Sequence, residues 1–295
     1  MLSDVKPPKI IGKSPEINRV RKAIKLLANQ SGHVLILGEP GSGRSMAAGS
    51  IHLSGMRKDK PFLTLPCSAV GDAMEPKTAF HQVEQYSPQE GTLFLKNIDK
   101  LHRNHQAQLY HALIVPPPPK PRIIASAEPD VLQKSRDKQF HADLYHLLNE
   151  FQVVIPPLRE RRQDILFIFD AFLEEFCREF SRSIPSVPGV ISDAMLEYDW
   201  PGNVTELKNC VRNLAMMSPE DKLSPEFLPF SVQPDPLEIL ADQTLEAATE
   251  KVEKFLIRRA LARCNNNQSK AADMLGLSEA VMRYKMKKYG FPTAR

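Results

Sequence analysis

Four apolar residues, Val34-Leu35-Ile36-Leu37, run directly into Gly38-Glu39-Pro40-Gly41-Ser42-Gly43-Arg44-Ser45, and no other stretch restricts the fold so much. A β-rich run feeds a glycine loop, and the loop feeds a helix from Ser45 onward. This is the layout of a phosphate-binding loop, GxxxxGK[ST], with Arg44 where lysine is expected. The glycines let backbone N–H groups converge on a phosphate, and the helix N-terminus adds the positive end of its dipole. Lysine reaches the β- and γ-phosphates as a compact charge. Arginine is longer, planar and forked, so the exchange changes the chemistry. Taken alone, the altered loop fits a plain glycine turn equally well.

The chain has 295 residues, room for one large domain or two to three small ones with a real core. At 42% hydrophobic and 25% charged it reads as globular. Several of the 25 prolines cluster and point to defined loops. No apolar run approaches the ~20 residues of a membrane helix, and the polar start is unlike a signal peptide. Cys67, Cys177, Cys210 and Cys264 lie far apart. Reduced, mostly buried thiols in a cytoplasmic protein are expected, and no metal site.

Ser14 should cap a helix that starts at Pro15 and carries Ile17, Val20, Ile24 and Leu27. Strands are expected at Val34–Leu37, Phe62–Leu65, Thr92–Leu95, Arg122–Ala125 and Val153–Ile155. Helical stretches separate them, so the sheet should be parallel and covered on both faces. From Asp164 the pattern turns helical, with Ile165, Ile168, Phe169, Phe172, Leu173 and Phe176 at spacings of three and four. The expected organisation is an α/β subdomain over residues 1–163, a helical subdomain over 164–232, a proline-rich linker over 233–241 and an all-α domain over 242–295.

The net charge of +4 is uneven: residues 242–295 hold 11 Lys and Arg against 6 Asp and Glu. This basic segment should open with a helix over Leu245–Arg263, with Leu245, Ala248, Val252, Leu256 and Ala260 along one face. Asn265 to Ser269 cap a short helix, Gly276 turns the chain, and Ser278 caps the last helix. There Met282, Met286 and Tyr289 should face inward, and Glu279, Arg283 and Lys287 outward. Two short helices about a glycine turn, the second basic, describe a helix-turn-helix.

The pieces together resemble the bacterial sigma-54-dependent enhancer-binding proteins, in which an AAA+ ATPase domain precedes a Fis-type helix-turn-helix. The resemblance runs from Ile11 to Phe291. Gly91-Thr92-Leu93-Phe94-Leu95, Pro156 to Ile165 (PPLRERRQDI), Trp200 to Asn209 (WPGNVTELKN) and Asn267 to Ala272 carry it. It implies an α/β AAA+ phosphate-loop domain with a helical lid, followed by an all-α DNA-binding domain. It also exposes departures. Lys96 and Asn97 stand where the family has the acidic pair that holds Mg²⁺ and orients the attacking water. Asp99 is expected at an exposed helix start. His141 and Leu147 replace the arginine fingers, and Thr205 the sensor arginine. Pro66 and Glu128 replace two asparagines. Only 23 residues separate Cys67 from Gly91, with no GAFTGA loop, and Pro116 to Pro119 stand where the family has a second hairpin.

The resemblance with its departures implies a DNA-binding transcription regulator with a pseudo-ATPase body and no direct sigma-54 contact surface. Its partners are expected to be double-stranded DNA, further copies in a homodimer or higher homo-oligomer, and RNA polymerase or a related AAA+ regulator, with no membrane. The alternatives are a hydrolysing sigma-54-type activator and a subunit that joins the rings of an active relative. Ser278, Glu279, Ala280, Arg283 and Tyr284 are candidates at the DNA-facing end of the last helix, where Glu279, Ala280 and Arg283 would read bases. Lys285, Lys287 and Lys288 are candidate phosphate contacts. At the loop, Gly38 to Ser45 and Lys96 are expected to take ATP or ADP without Mg²⁺. Lys96 either fills the metal's place or turns outward to pair with a carboxylate.

Overall fold

A computed structural model describes residues 10–69, 91–114, 121–219, 221–233, 244–264 and 267–291. The short stretch before Gly91, the prolines at 116–119 and most of the linker lie outside them. The described residues divide into two compact units, a large body and a smaller unit carrying the last three helices.

The body is built on five parallel strands, β1 Val34–Leu37, β2 Phe62–Pro66, β3 Thr92–Lys96, β4 Arg122–Ala127 and β5 Phe151–Val154, in the order β2-β3-β4-β1-β5. Alternation along the strands divides two cores. Leu35, Leu37, Leu93, Leu95, Ile123 and Ala125 pack on one face, and Val34, Ile36, Phe94 and Ile124 on the other. Helix α1 (Pro15–Ala28) and helix α2 (Arg44–Leu53) cover the second face through Ile17, Val20, Ile24, Ala47 and Ile51. Helices α3 (Arg103–Ile114) and α5 (Ala142–Leu148), with α4 (Val131–Arg136) between them in sequence, belong to the first. A continuous apolar strand is what burial on both faces requires.

Ser14 caps α1, its hydroxyl accepting from the Ile17 amide. Strand β5 begins at Phe151, two residues before the expected Val153, and includes Gln152. It lies at the sheet edge, where a polar residue is tolerated. After a 3₁₀ segment over Leu158–Asp164 come α6 (Ile165–Glu179), α7 (Gly189–Glu197) and α8 (Asn203–Met217). Asp164 is bound back to the start of α1. Its carboxylate accepts from the Ser14 amide at 2.8 Å and from the Ser14 hydroxyl at 2.6 Å.

In the smaller unit α9 (Leu245–Arg263), α10 (Gln268–Met274) and α11 (Glu279–Lys288) enclose a core of Ile257, Ala260, Leu261, Ala271, Ala272, Met282 and Met286. This corrects the expected face of α9. Ala260 is inside, but Leu245 is 85% and Leu256 39% exposed. Only the C-terminal half of α9 meets the two short helices, so Ile257 and Leu261 set the packed face. Asn267 and Ser278 cap α10 and α11 through the amides of Lys270 and Val281, and Gly276 turns the chain at φ +65°.

Candidate functional site

The glycine loop lies between β1 and α2, beside the start of α8. Gly41 has φ +77°, and a Cβ there would stand 2.1 Å from the Gly202 carbonyl oxygen. Only glycine allows this approach. Glu39 is turned away from the loop interior toward Arg159, with contacts of 2.8 and 2.5 Å. The Arg159 guanidinium, helped by the Asn203 amide, holds the Glu39 carboxyl down at about 2. Asn203 is fully buried at φ +54°. Its amide donates to Glu39 and the Pro40 carbonyl, both at 3.1 Å, and its oxygen accepts from the Leu158 amide at 2.8 Å. Arg159 and Asn203 sit within the strings that carry the family resemblance, and with Glu39 they serve the loop's shape.

A cavity of about 590 Å³ opens against the loop, lined by Gly41 to Met46, Lys96, Asn97, Arg161 and Thr205 among others. Of the loop residues singled out in the sequence, Pro40, Gly41, Ser42, Gly43, Arg44 and Ser45 reach it, whereas Gly38 and Glu39 support from outside. Lys96 is exposed at the C-terminal end of β3 and lines the cavity. Among the described residues it makes no ion pair, so the outward pairing with a carboxylate is not the arrangement adopted. Arg44 is 8% exposed. Burial pushes its pKa below the ordinary value, and the charges of Asp99 and Glu128 offset this. Arg161, which sequence reasoning passed over, is 2% exposed, donates to the Ser42 carbonyl at 3.2 Å, and is likewise depressed by burial. Its signal was present: an arginine inside an otherwise structural string.

Asp99 departs from expectation. Its side chain is wholly buried, not at the surface. The carboxylate accepts from the Glu128 amide at 3.3 Å and lies 3.6 and 3.8 Å from the Lys100 and Lys134 ammonium groups. Asn97, at φ +56°, sets the turn that carries it inside. His141 is a cap: its Nδ1 accepts from the Leu144 amide at 3.3 Å, and its ring stacks on Tyr110 at 5.4 Å.

On α11, Ala280, Tyr284, Lys287 and Lys288 are exposed, and Arg283 meets Glu279 only loosely, at 3.4 Å. Lys285 differs from the expected free phosphate contact. Its ammonium is half-buried and lies 2.5 Å from Glu253 on α9, which also accepts from the Tyr289 hydroxyl at 2.6 Å. Lys285 lies three residues after buried Met282 and directly before buried Met286, so its side chain leans toward the neighbouring helix, where a carboxylate meets it.

Residues 11–158 match the Sigma-54 interaction domain, 159–243 the AAA+ ATPase lid domain, and 248–289 the bacterial regulatory protein Fis family. The chain is 30% identical to the transcriptional activator RocR of Bacillus subtilis, over 95% of this chain and 68% of that one. It is 28% identical to the transcriptional regulatory protein ZraR of Escherichia coli K12, over 94% and 68%. A signal-transduction and transcriptional-control protein of Clostridium beijerinckii is 30% identical, over 95% of this chain, which spans about half of it, 48%. The fold matches NtrX of Brucella abortus in complex with ADP at a TM-score of 0.68 and 22% identity, covering 97% of this chain and 70% of that one. Among the described residues no helix is long and apolar enough to cross a membrane. With a sigma-54 interaction domain, its AAA+ lid and a Fis-type helix-turn-helix in order along one chain, the protein belongs to the family of sigma-54-type DNA-binding transcriptional regulators.

Proposed function

We propose that this protein is a sequence-specific DNA-binding transcription regulator of the cytoplasm whose AAA+ body binds ATP or ADP without Mg²⁺ and does not hydrolyse ATP. The observation that carries the reading is Lys96. It lines the loop cavity at the end of β3, where phosphate-loop enzymes place the carboxylate that holds the metal. His141 and Thr205, at the finger and sensor positions, carry no guanidinium. An arginine finger alone contributes roughly 10³–10⁵ in rate. Nucleotide binding is supported by the loop geometry and by the ADP complex of the similarly folded NtrX.

The working divisions are residues 1–163 and 164–232 for the body and its lid, 233–241 for the linker, and 242–295 for the DNA-binding domain. Two copies would join through the exposed apolar residues of α9, Leu245 and Leu256. The dimer would place two α11 helices on an inverted repeat. RNA polymerase or a related AAA+ regulator is the further partner of this reading. A hydrolysing activator is the second reading, favoured by the similarity to an activator such as RocR. Phosphate release by the purified chain separates them. None above background is expected, and a turnover abolished by Arg44→Ala would establish the second reading.

A further inference from the structure

Resting on the nucleotide-binding reading above, we infer that the loop cavity selects the metal-free form of an oligophosphate, so that magnesium opposes binding instead of assisting it. Three buried atoms point to an anion. Arg44 Nη1, Arg161 Nε and Ser42 Oγ are shielded from solvent, and each lacks a hydrogen-bond partner. Their residues are 8%, 2% and 4% exposed, and all line the one cavity. Guanidinium nitrogens only donate. A buried donor without an acceptor is costly, and a small rotation of these side chains toward an anionic oxygen in the adjoining cavity would satisfy it.

The charge balance excludes the metal. Among the described residues the cavity is lined by Arg44, Lys96, Arg161 and Lys208, with Glu175 the one carboxylate beside them. Glu175 is itself bound to Lys208 at 3.0 Å. The carboxylates near the loop and at the end of β3 are also engaged: Glu39 with Arg159, Asp99 with Lys100 and Lys134, and Glu128 with Lys100. Magnesium needs near-ideal octahedral oxygen ligation and is usually held by one or two carboxylates beside the phosphates. Among the described residues lining the cavity, none is free. A magnesium-bound phosphate chain would bring less negative charge to a site rich in cations. It would also set a divalent ion beside the Lys96 ammonium, where like charges repel. The family's metal does not fit these residues, whereas its phosphate chain does.

Equilibrium dialysis of the full chain with ATP, ADP and inorganic tripolyphosphate tests this, once in EDTA and once with magnesium in excess. Binding is expected in EDTA, tighter for ATP and tripolyphosphate than for ADP, and weakened about tenfold or more by magnesium. Lys96 is exposed, so Lys96→Asp should fold. It should lose about tenfold of the metal-free affinity and bind more tightly with magnesium than without. Lys96→Ala serves as the second variant, and should lose metal-free affinity with a reduced magnesium effect. Equal or tighter binding with magnesium by the native chain would overturn the inference while leaving nucleotide binding intact. No binding under either condition would overturn both. Variants indistinguishable from the native chain would remove Lys96 from the site.

Discussion

Two regions of this protein are basic, and they hold their charge in opposite ways. At the glycine loop, Arg44 and Arg161 are 8% and 2% exposed, with donor atoms that meet no acceptor. On α11 the Arg283 side chain is 67% exposed, and Lys287 and Lys288 stand in solvent. A buried cation bears a desolvation cost that a small anion entering a shaped cavity can offset. An exposed cation bears none, and is suited to a long polyanion whose counterions it displaces. The difference teaches that equal charge counts do not imply equal ligands: enclosure favours a compact phosphate chain, and exposure favours duplex DNA.

The contrast breaks most readily at glycine. Gly41→Ala forces a Cβ to 2.1 Å from a backbone oxygen at φ +77°, whereas Gly276 at φ +65° has nothing within 4 Å of an added Cβ. Gly41→Ala should cost about 3 kcal/mol or more, and Gly276→Ala about 1–2 kcal/mol, read as losses of unfolding free energy in urea. Similar losses would mean that the loop is no more tightly enclosed than the turn.

Arg283→Ala should cost about 1–3 kcal/mol on the preferred DNA site and relax base preference at one position, measured by binding to a panel of single-base variants. A uniform loss across the panel would show that Arg283 contacts phosphate only.

The two regions should also differ in their response to pH, the smaller unit carrying an alkaline limb through Tyr289 in addition to an acid one through Glu253. Chiefly through Arg159, Glu39 sits at about 2 against an ordinary 4.5. The folded body therefore binds fewer protons than the unfolded chain. Its contribution is complete above 4.5 and is lost as pH falls through 2. The pair is partly exposed, so the effect is on the order of 1 kcal/mol. Through its bond to Glu253, Tyr289 is raised to about 12 from 10.0. That contribution is present below 10.0 and is lost as pH rises through 12. Glu39→Gln should flatten only the acid limb of the stability profile, whereas Glu253→Gln should flatten the alkaline limb and part of the acid limb, because Lys285 and Tyr289 hold the Glu253 carboxyl below its ordinary value.

The smallest effect separates two neighbouring lysines. Lys287→Ala should weaken all DNA sequences alike and lower the salt slope by about one unit. Lys285 is committed to Glu253 at 2.5 Å, so Lys285→Ala should change that slope less. Equal slopes would return Lys285 to the phosphate-contacting set.

Local chemistry was legible in the sequence. Ser14, Asn267 and Ser278 cap the helices that their side chains announce, and Gly276 turns where a glycine between two short helices should. The continuous apolar strands gave a sheet buried on both faces. What failed depended on partners distant in the chain. Asp99 reads as a surface residue until β4 and α4 bring the Glu128 amide and Lys134 to it. Lys285 reads as a DNA contact until α9 presents Glu253. The apolar repeat of α9 points to Leu245 and Leu256, yet among the described residues Ile257, Ala260 and Leu261 are the buried ones, because the two short helices pack on the C-terminal half of that helix. Arg161 went unnoticed because its string reads as fold and not chemistry.

Asn203 gives the loop a late birthday in the life of the chain. Its bond to Glu39 spans 164 residues, and the Asp164 bond to Ser14 spans 150. Strand β1 and its glycine loop leave the ribosome early, yet the loop's final shape waits for the lid. Contacts that close such long intervals form slowly, since the entropy of closure is lost before the contact repays it. A nascent chain ending short of Asn203 should therefore hold its sheet without a finished anion site. Pulse-labelled hydrogen exchange during refolding reads the order. The amides of Val34–Leu37 should gain protection before those of residues 41–44, and simultaneous protection would show that the loop forms without the lid.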